Sequence, residues 1–73
     1  MAFKDNLYYF RAKAGLTQQE LADKVCVSRS LIARYEHGYD SPSLNTLMRL
    51  ASAFDCSVND LVYGVNNIAE ATT

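Results

Sequence analysis

The stretch TQQELADKVCVSRSLIARYEHG, residues 17–38, decides the fold of this 73-residue chain. It predicts two short helices joined by a tight turn. Thr17 and Glu20 form a capping box, in which the hydroxyl accepts a hydrogen bond from the third helical amide and the carboxylate accepts one from the amide of Thr17. Ser28 begins the second helix with a similar cap. Because only two residues separate Val25 from Ser28, the helices must meet at a sharp angle.

The basic residues are concentrated in the half of the chain that contains this stretch. The whole chain has a formal net charge of -1, from 7 basic and 8 acidic residues. Residues 1–38 carry six basic against four acidic side chains, and residues 39–73 carry one against four. Two helices meeting at a sharp turn are the geometry of a DNA-binding helix-turn-helix. The local charge therefore favours a nucleic-acid partner, and its small size predicts modest affinity per subunit.

The composition argues against several other classes of protein. Two cysteines cannot form a disulfide framework, and one histidine cannot complete a zinc finger with them. Cys26 and Cys56 are therefore expected to be reduced thiols, and no metal or cofactor is predicted. The N-terminus lacks the apolar core of a signal peptide, and no apolar run approaches membrane-spanning length. These features predict a cytoplasmic protein without a membrane partner.

No arrangement of residues in the sequence indicates an enzyme. A phosphate-binding glycine loop is missing, and no nucleophile is accompanied by a base and an orienting group. Ser28 and His37 lie nine positions apart on one predicted helix and cannot face each other as a catalytic pair. The chain is therefore predicted not to be an enzyme.

Apolar residues recur at helical spacing and no strand alternation is present, which predicts an all-α fold of five helices. The fourth helix is expected to begin after Ser43 or Ser41, and the fifth after Ser57. Residues 1–65 are expected to form one domain, followed by a polar, flexible tail at 66–73. Val58, Leu61 and Val62 carry the apolar content of the fifth helix. The predicted inward positions of the other four helices are Phe3, Leu7, Phe10, Ala14, Leu21, Ala22, Val25, Ile32, Tyr35, Leu44, Leu47, Met48, Ala51 and Phe54.

Together these features resemble the lambda-repressor and Cro-like helix-turn-helix family, also called the xenobiotic-response-element type. The resemblance runs from about Leu7 to Val62. It implies a five-helix lambda-repressor-like domain whose third helix enters the major groove, and an arginine–glutamate pair that ties the first helix to the end of the third. The residues that carry it are Arg11, 15–18 (GLTQ), 20–22 (ELA), Val27, Ser28, Ile32, 35–38 (YEHG), 42–44 (PSL), Leu47 and 57–61 (SVNDL).

The predicted DNA contacts follow from the orientation of the third helix. Its N-terminal residues would meet base edges, and residues Ile32 and Tyr35 face inward. Arginine suits a bidentate contact with guanine, so Arg29 with Ser30 is expected to read bases and Arg34 a base or a phosphate. The alternative for the two arginines is an ordinary solvated helix face. The complete predicted set is Gln18, Ser28, Arg29, Ser30, Ala33, Arg34, His37, Tyr39 and Ser43.

Gln18 has a separate predicted role at the start of the second helix. Free backbone amides and the helix dipole favour a phosphate there, and the resemblance implies that its side chain contacts the DNA backbone and supports the recognition helix. An ordinary polar residue is the alternative.

The sequence departs from the family pattern at three places. Cys26 stands where the family usually has glycine, because the turn needs a left-handed backbone. Cys56 also replaces a common glycine, and both thiols are expected to be inert, with a redox sensor at Cys26 as the alternative. Asp40 lies where relatives often place a basic residue toward the phosphates. It would repel DNA unless it caps the fourth helix or pairs with a partner.

The predicted function is a sequence-specific regulator of transcription that binds double-stranded DNA, acting as a repressor on a palindromic operator. A homodimer is expected because one domain reads few bases, with half-sites about one helical turn apart. No separate effector domain fits in this length, so control is expected from concentration, a protein partner or proteolysis. The predicted dimer interface consists of Leu61, Val62, Tyr63, Val65 and Ile68.

Two alternatives remain at this point. Val65 and Ile68 could instead fold back onto the core. The whole chain could also be a protein-interaction module on the same fold with weak or no DNA binding, contacting a partner through Tyr8, Tyr9, Tyr39 and Tyr63.

Overall fold

The computed structural model of the chain describes residues 2–64, which form five α-helices. The all-α, five-helix prediction is confirmed. None of the helices in the described range is long and apolar enough to cross a membrane. The predicted tail at 66–73 and the predicted dimer contacts Val65 and Ile68 lie outside these residues. The helices are α1 (Phe3–Ala14), α2 (Gln18–Val25), α3 (Arg29–His37), α4 (Leu44–Phe54) and α5 (Val58–Tyr63).

Side-chain caps fix where four of these helices begin. Thr17 forms the predicted capping box, with its hydroxyl 3.0 Å from the Glu20 amide and its own amide 2.8 Å from the Glu20 carboxylate. Ser57 forms a second capping box with Asp60 at the start of α5. Ser28 caps α3, and Ser43 rather than Ser41 caps α4. Each cap satisfies an amide that the helix itself leaves unpaired.

Residues in the left-handed conformation end α1 to α4. Gly15 and Gly38 have φ angles of +73° and +79°, where glycine is favoured because it lacks a Cβ. Cys26 has φ +61° at the end of α2, which confirms that the turn needs a left-handed backbone. After α4 the left-handed residue is Asp55, with φ +55°, and not Cys56. The missing glycine at Cys56 therefore imposes no such strain.

The helix-turn-helix shares one core with the other helices. The inward residues predicted for α2 and α3 are all buried. Helix α1 packs against α3 and α5, while α4 packs against α2 and α5. Leu16 and Val27, which precede the caps of α2 and α3, also pack against the core. The buried hydrophobic residues of this core are Leu7, Phe10, Leu21, Ala22, Val25, Ile32, Tyr35, Leu50, Ala51 and Leu61.

On α4 the predicted inward positions Leu47, Ala51 and Phe54 are confirmed, whereas Leu44 and Met48 were predicted incorrectly, as was Ala14 at the end of α1. Leu44 and Met48 are 66% and 55% exposed, and Ala14 is also exposed. Met48 follows the core-facing Leu47 by one residue, which places it about 100° around the helix. Leu44 is the first residue of α4. The position omitted from the prediction, Leu50, is fully buried.

A buried polar residue, Asn6, joins the first helix to the last. Its side-chain amide donates a 2.8 Å hydrogen bond to the carbonyl of Leu61, and the residue is 1% exposed. The backbone of Gly64 passes close to the same side chain, since a Cβ built there would lie 3.2 Å from Oδ1 of Asn6. The bond satisfies both buried groups and holds α5 against α1.

Candidate nucleic-acid interface

The outer face of α3 carries the predicted base-reading residues. Arg29, Ser30 and Arg34 are exposed, and Ala33 is half-buried. The opposite face is buried in the core, so the orientation expected for a recognition helix is present. Ser28 already accepts a hydrogen bond from the Leu31 amide at 3.1 Å. Its hydroxyl hydrogen is the part of the cap that can still be donated to DNA.

Helix α3 is anchored at its end by the ion pair between Arg11 and Glu36. Arg11 donates from Nε to Oε2 of Glu36 at 2.6 Å and from Nη2 to Oε1 at 3.1 Å. Its Nη1 donates to the carbonyl of Leu16 at 2.8 Å. The hydrogen bond with Glu36 is the main reason that the pKa of Arg11 is raised. The two side chains are 15% and 9% exposed, so this pair is well shielded from water and ties α1 to α3, as the resemblance implies.

Gln18 extends this ion pair to the start of the recognition helix. Its Nε2 donates to Oε1 of Glu36 at 3.0 Å, and its Oε1 accepts a 3.4 Å hydrogen bond from Nη1 of Arg29. The two ends of the amide therefore face partners of opposite charge. We call the sequence of contacts through Arg11, Glu36, Gln18 and Arg29 the buttress chain. It positions Arg29 by a neutral amide, which leaves the guanidinium charge uncancelled.

Arg34 is held differently, by an acidic residue in the loop after α3. Its Nε donates to Oδ2 of Asp40 at 2.5 Å and its Nη2 donates to Oδ1 at 3.2 Å. The guanidinium also lies 5.7 Å from the centre of the Tyr39 ring. The hydrogen bond from Arg34 lowers the pKa of the Asp40 carboxyl. Of the two ways in which Asp40 could avoid repelling DNA, the structure shows the pairing and not the helix cap.

The remaining predicted contacts surround the start of α4. His37 and Tyr39 are exposed and stack on each other with ring centres 5.4 Å apart. The hydroxyl of Ser43 accepts from the Thr46 amide at 3.3 Å and lies 3.2 Å from the Thr46 hydroxyl. The Ser43 hydroxyl is already paired with Thr46. The donors available to a phosphate at the N-terminus of α4 are therefore backbone amides of its first turn.

Lys4 lies beside this surface and was absent from the predicted set. It lines an open cleft of about 500 Å³ together with Gln18, Glu36 and His37. A Cβ built on Gly38 would lie 3.1 Å from the Lys4 side chain, so α1 brings a cation to the end of α3. No local motif marks Lys4, because its neighbours come from residues far along the chain.

The fold and this exposed, anchored helix define a class, the lambda-repressor-like DNA-binding domains. Residues 7–61 match the family model HTH_3, described as Helix-turn-helix. The chain belongs to this helix-turn-helix family. Its members are transcriptional regulators that bind DNA and are not enzymes, in agreement with the prediction for this chain.

Two relatives match this chain over different shares of their own length. An HTH-type transcriptional regulator of Archaeoglobus fulgidus is 46% identical over 52 residues, which cover 71% of this chain and 74% of the relative. The HTH-type transcriptional activator BcrR of Enterococcus faecalis is 32% identical over 73 residues. That match covers 100% of this chain but only 36% of BcrR, so the chain spans about a third of that relative.

A solved structure shows the same fold on DNA. The P22 c2 repressor protein in complex with synthetic operator 9T superposes with a TM-score of 0.83 at 26% identity, over 88% of this chain and 97% of the repressor chain.

Proposed function

We propose that this chain regulates transcription by binding a palindromic operator in the major groove as a cytoplasmic homodimer, and that it represses. The observation that carries the proposal is the buttress chain. It supports Arg29 through the 3.4 Å hydrogen bond with Gln18 at the N-terminus of α3, the end at which a recognition helix meets base edges. A merely solvated arginine would need no such series of partners. The partners are double-stranded DNA and a second copy of the chain.

The proposed contacts differ in the chemistry that each side chain offers to DNA. Arg29 reads a guanine, Ser30 donates to or accepts from a neighbouring base, and Ala33 contacts a thymine methyl group. Gln18, at the N-terminus of α2, contacts a phosphate beside the buttress chain. The remaining contacts are Ser28 and Arg34 on α3, and His37, Tyr39 and Ser43 near the start of α4.

The proposal that the chain represses is supported by one similar protein and opposed by another. The P22 c2 protein is a repressor bound to an operator, whereas BcrR is an activator. A promoter carrying the operator, placed before a reporter gene, tests the choice. We expect the chain to lower expression of the reporter. Higher expression would be compatible with DNA binding but would contradict the proposal that the chain represses.

The predicted dimer interface needs one correction. Leu61 is 0% exposed within the single chain, because its side chain belongs to the core, and it is not available to a partner. Val62 is half-buried and Tyr63 is 61% exposed, so we place the interface at these two described residues of α5. Tyr63→Ala should shift operator-bound protein from two subunits to one in sedimentation. Met48→Ala, an exposed apolar change on α4, is the control and should leave the dimer intact.

Selection of genomic fragments tests sequence-specific binding directly. We expect the purified chain to enrich a palindromic motif. Arg29→Ala should weaken binding to that motif by roughly 10- to 100-fold, the size of one bidentate guanine contact. Arg49→Ala on α4 removes the same charge from an exposed position and should have a much smaller effect. Equal losses for the two variants would contradict the assignment of the recognition helix.

The competing proposal is a protein-interaction module on the same fold. The four tyrosines named for it, Tyr8, Tyr9, Tyr39 and Tyr63, are all exposed. However, Tyr39 contacts Arg34 and stacks on His37, which links it to the recognition helix. The competing proposal predicts that the selected fragments share no motif.

A further inference from the structure

The two exposed arginines of α3 have partners of opposite kinds. Arg29 is bonded to the neutral amide of Gln18, whereas Arg34 is bonded twice to the carboxylate of Asp40. The side chains of Arg34 and Asp40 are 54% and 37% exposed, so the pair lies at the molecular surface, where the proposed function places DNA beside α3. Five residues lie between Arg34 and Asp40, and α3 ends within this interval, with Gly38 as its C-cap.

The contacts with Asp40 occupy one edge of the Arg34 guanidinium and leave the other edge available. The Nε and Nη2 groups donate to the carboxylate. A guanidinium has five N–H donors, so both Nη1 hydrogens and the second Nη2 hydrogen remain. These outer hydrogens form the planar fork that makes a bidentate contact with O6 and N7 of guanine. The Tyr39 ring near the guanidinium further limits its movement.

The same carboxylate changes the attraction of Arg34 for the DNA backbone. A phosphate attracts a cation mainly through its net charge, and such contacts carry no sequence information. The paired Arg34 and Asp40 have no net charge together, and Asp40 repels a phosphate. A guanine edge is neutral and requires a correctly placed fork of donors, which the pair preserves. Pairing therefore weakens the phosphate contact more than the guanine contact.

We propose that Asp40 is a specificity-determining residue, which holds Arg34 with its outer edge toward a guanine and suppresses its binding to phosphates. This inference rests on the proposed DNA-binding function and adds a role for a residue outside the predicted contact set. It also assigns Arg34 to a base, a choice that the sequence leaves open.

The test compares Asp40→Asn with Asp55→Asn. Both variants remove one negative charge, but Asp55 lies beyond the far end of the 11-residue α4. That separation is roughly 16 Å along the helix axis, farther than the screening length of about 8 Å at physiological salt. Asn also tolerates the left-handed backbone of Asp55. Dissociation constants are measured for the selected operator and for a random-sequence duplex across a salt series.

We expect Asp40→Asn to bind the random duplex several-fold more tightly, with a salt dependence steeper by about 0.9 in the logarithmic slope, as for one added phosphate contact. The preference for the operator over random DNA should fall about tenfold, and Asp55→Asn should change neither quantity. In an Arg34→Ala background, Asp40→Asn should no longer change the preference for the operator over random DNA, because relief of its direct repulsion of phosphates acts equally on both duplexes. Thermal melts verify that each variant is folded, and Asp40→Ser repeats the comparison.

Three results would overturn the proposal. Asp40→Asn could match Asp55→Asn in both quantities. It could weaken operator and random DNA equally, which would indicate a role in loop structure alone. Its effect on the preference for the operator could also persist after Arg34→Ala, which would show that Arg34 is not the group through which Asp40 determines specificity. If the wild-type chain enriches no motif, the proposed function fails. If it enriches a motif and one of the three results above is found, only the role of Asp40 fails.

Discussion

At the scale of single residues, Cys26 has an unfavourable backbone conformation at the centre of the helix-turn-helix. Its φ of +61° costs a residue with a Cβ about 1–2 kcal/mol. The turn needs this conformation because the next amide, that of Val27, donates back to the carbonyl of Ala22 at 3.0 Å. The conformation belongs to the turn and not to the thiol, so substitution of the side chain can relieve the strain.

We expect Cys26→Gly to raise the free energy of unfolding by about 0.5–1 kcal/mol, because the relief of strain exceeds the added entropy of the unfolded chain. Urea denaturation measures the change. Cys26→Ala removes the thiol but retains the strain and is the control. A glycine variant less stable than the alanine variant would show that the strain argument is wrong.

A second prediction at this scale concerns Glu36, whose carboxylate accepts hydrogen bonds from both Arg11 and Gln18. Glu36→Ala leaves the shielded Arg11 guanidinium without its anion, so we expect a loss of about 2–4 kcal/mol in unfolding free energy. The corresponding fall in melting temperature is at least about 8 °C for a domain of this size. Asp23→Ala, an exposed carboxylate on α2, should change it little. An unchanged melting temperature for Glu36→Ala would rule out the anchoring role.

At the scale of helices, the hydrogen bond from Asn6 to Leu61 determines how α5 is attached. We expect Asn6→Ala to cost about 1–3 kcal/mol, because the buried carbonyl of Leu61 would lose its side-chain donor. Amide hydrogen exchange in α5 should accelerate more than in α2. Asn45→Ala, an exposed change on α4, serves as the control. Uniform acceleration across all five helices would show that the bond stabilises the whole domain rather than α5.

The helix boundaries could be predicted because their signals are local. The caps at Thr17, Ser28 and Ser57 act within four residues, and the same is true of the left-handed Gly15 and Gly38. The inward face of α4 could not be predicted reliably, because the helix has more apolar residues than one face can hold. Which of them faces the core depends on where α2 and α5 lie.

Contacts between residues far apart in the sequence could not be predicted from local signals. The Arg11–Glu36 pair was anticipated only through resemblance, since the partners lie 25 positions apart in the sequence. Burial of Asn6 was missed because its partner is 55 residues away. The exposed set on α3 followed from helical periodicity, but the partners that orient Arg29 and Arg34 depend on how the helices pack.

At the scale of the molecule, a phenol and a thiol that are shielded from water make the free energy of unfolding depend on pH in the alkaline range. Burial raises the pKa of the Tyr35 phenol, and burial with nearby Asp60 and Asp55 raises the pKa of the Cys56 thiol. Both groups are neutral when protonated, so the folded chain retains these protons to higher pH than the unfolded chain. The stabilisation is complete below the unfolded pKa values, about 8.5 for cysteine and 10 for tyrosine, and is lost as pH rises through the folded values.

We therefore expect the free energy of unfolding to decline from about pH 9 upward. Urea denaturation at a series of pH values measures the decline, and Tyr35→Phe should reduce its upper part. Tyr8→Phe, an exposed tyrosine on α1, is the matched control. A stability that stays level to pH 11 would contradict the contribution of these two groups.

The folded molecule also presents less positive charge than its sequence suggests. Of the six basic residues in the first half, Arg11 is paired with Glu36 and Arg34 with Asp40. Neither guanidinium then acts as an isolated cation toward DNA. The small charge excess counted along residues 1–38 is therefore distributed unevenly, and Arg29 carries more of the attraction than the count implies.

The buttress chain has a consequence for anyone who wishes to redirect this domain to a new operator. Arg29 is linked through Gln18 to the ion pair that holds α1 and α3 together, so replacing it leaves Oε1 of Gln18 without its partner and also changes the base preference. Ser30 has no such link among the described hydrogen bonds and is the safer position for a library of substitutions. Arg34 should be varied only together with Asp40. Reprogramming should therefore keep residue 29 fixed, randomise residue 30, and exchange residues 34 and 40 as one unit.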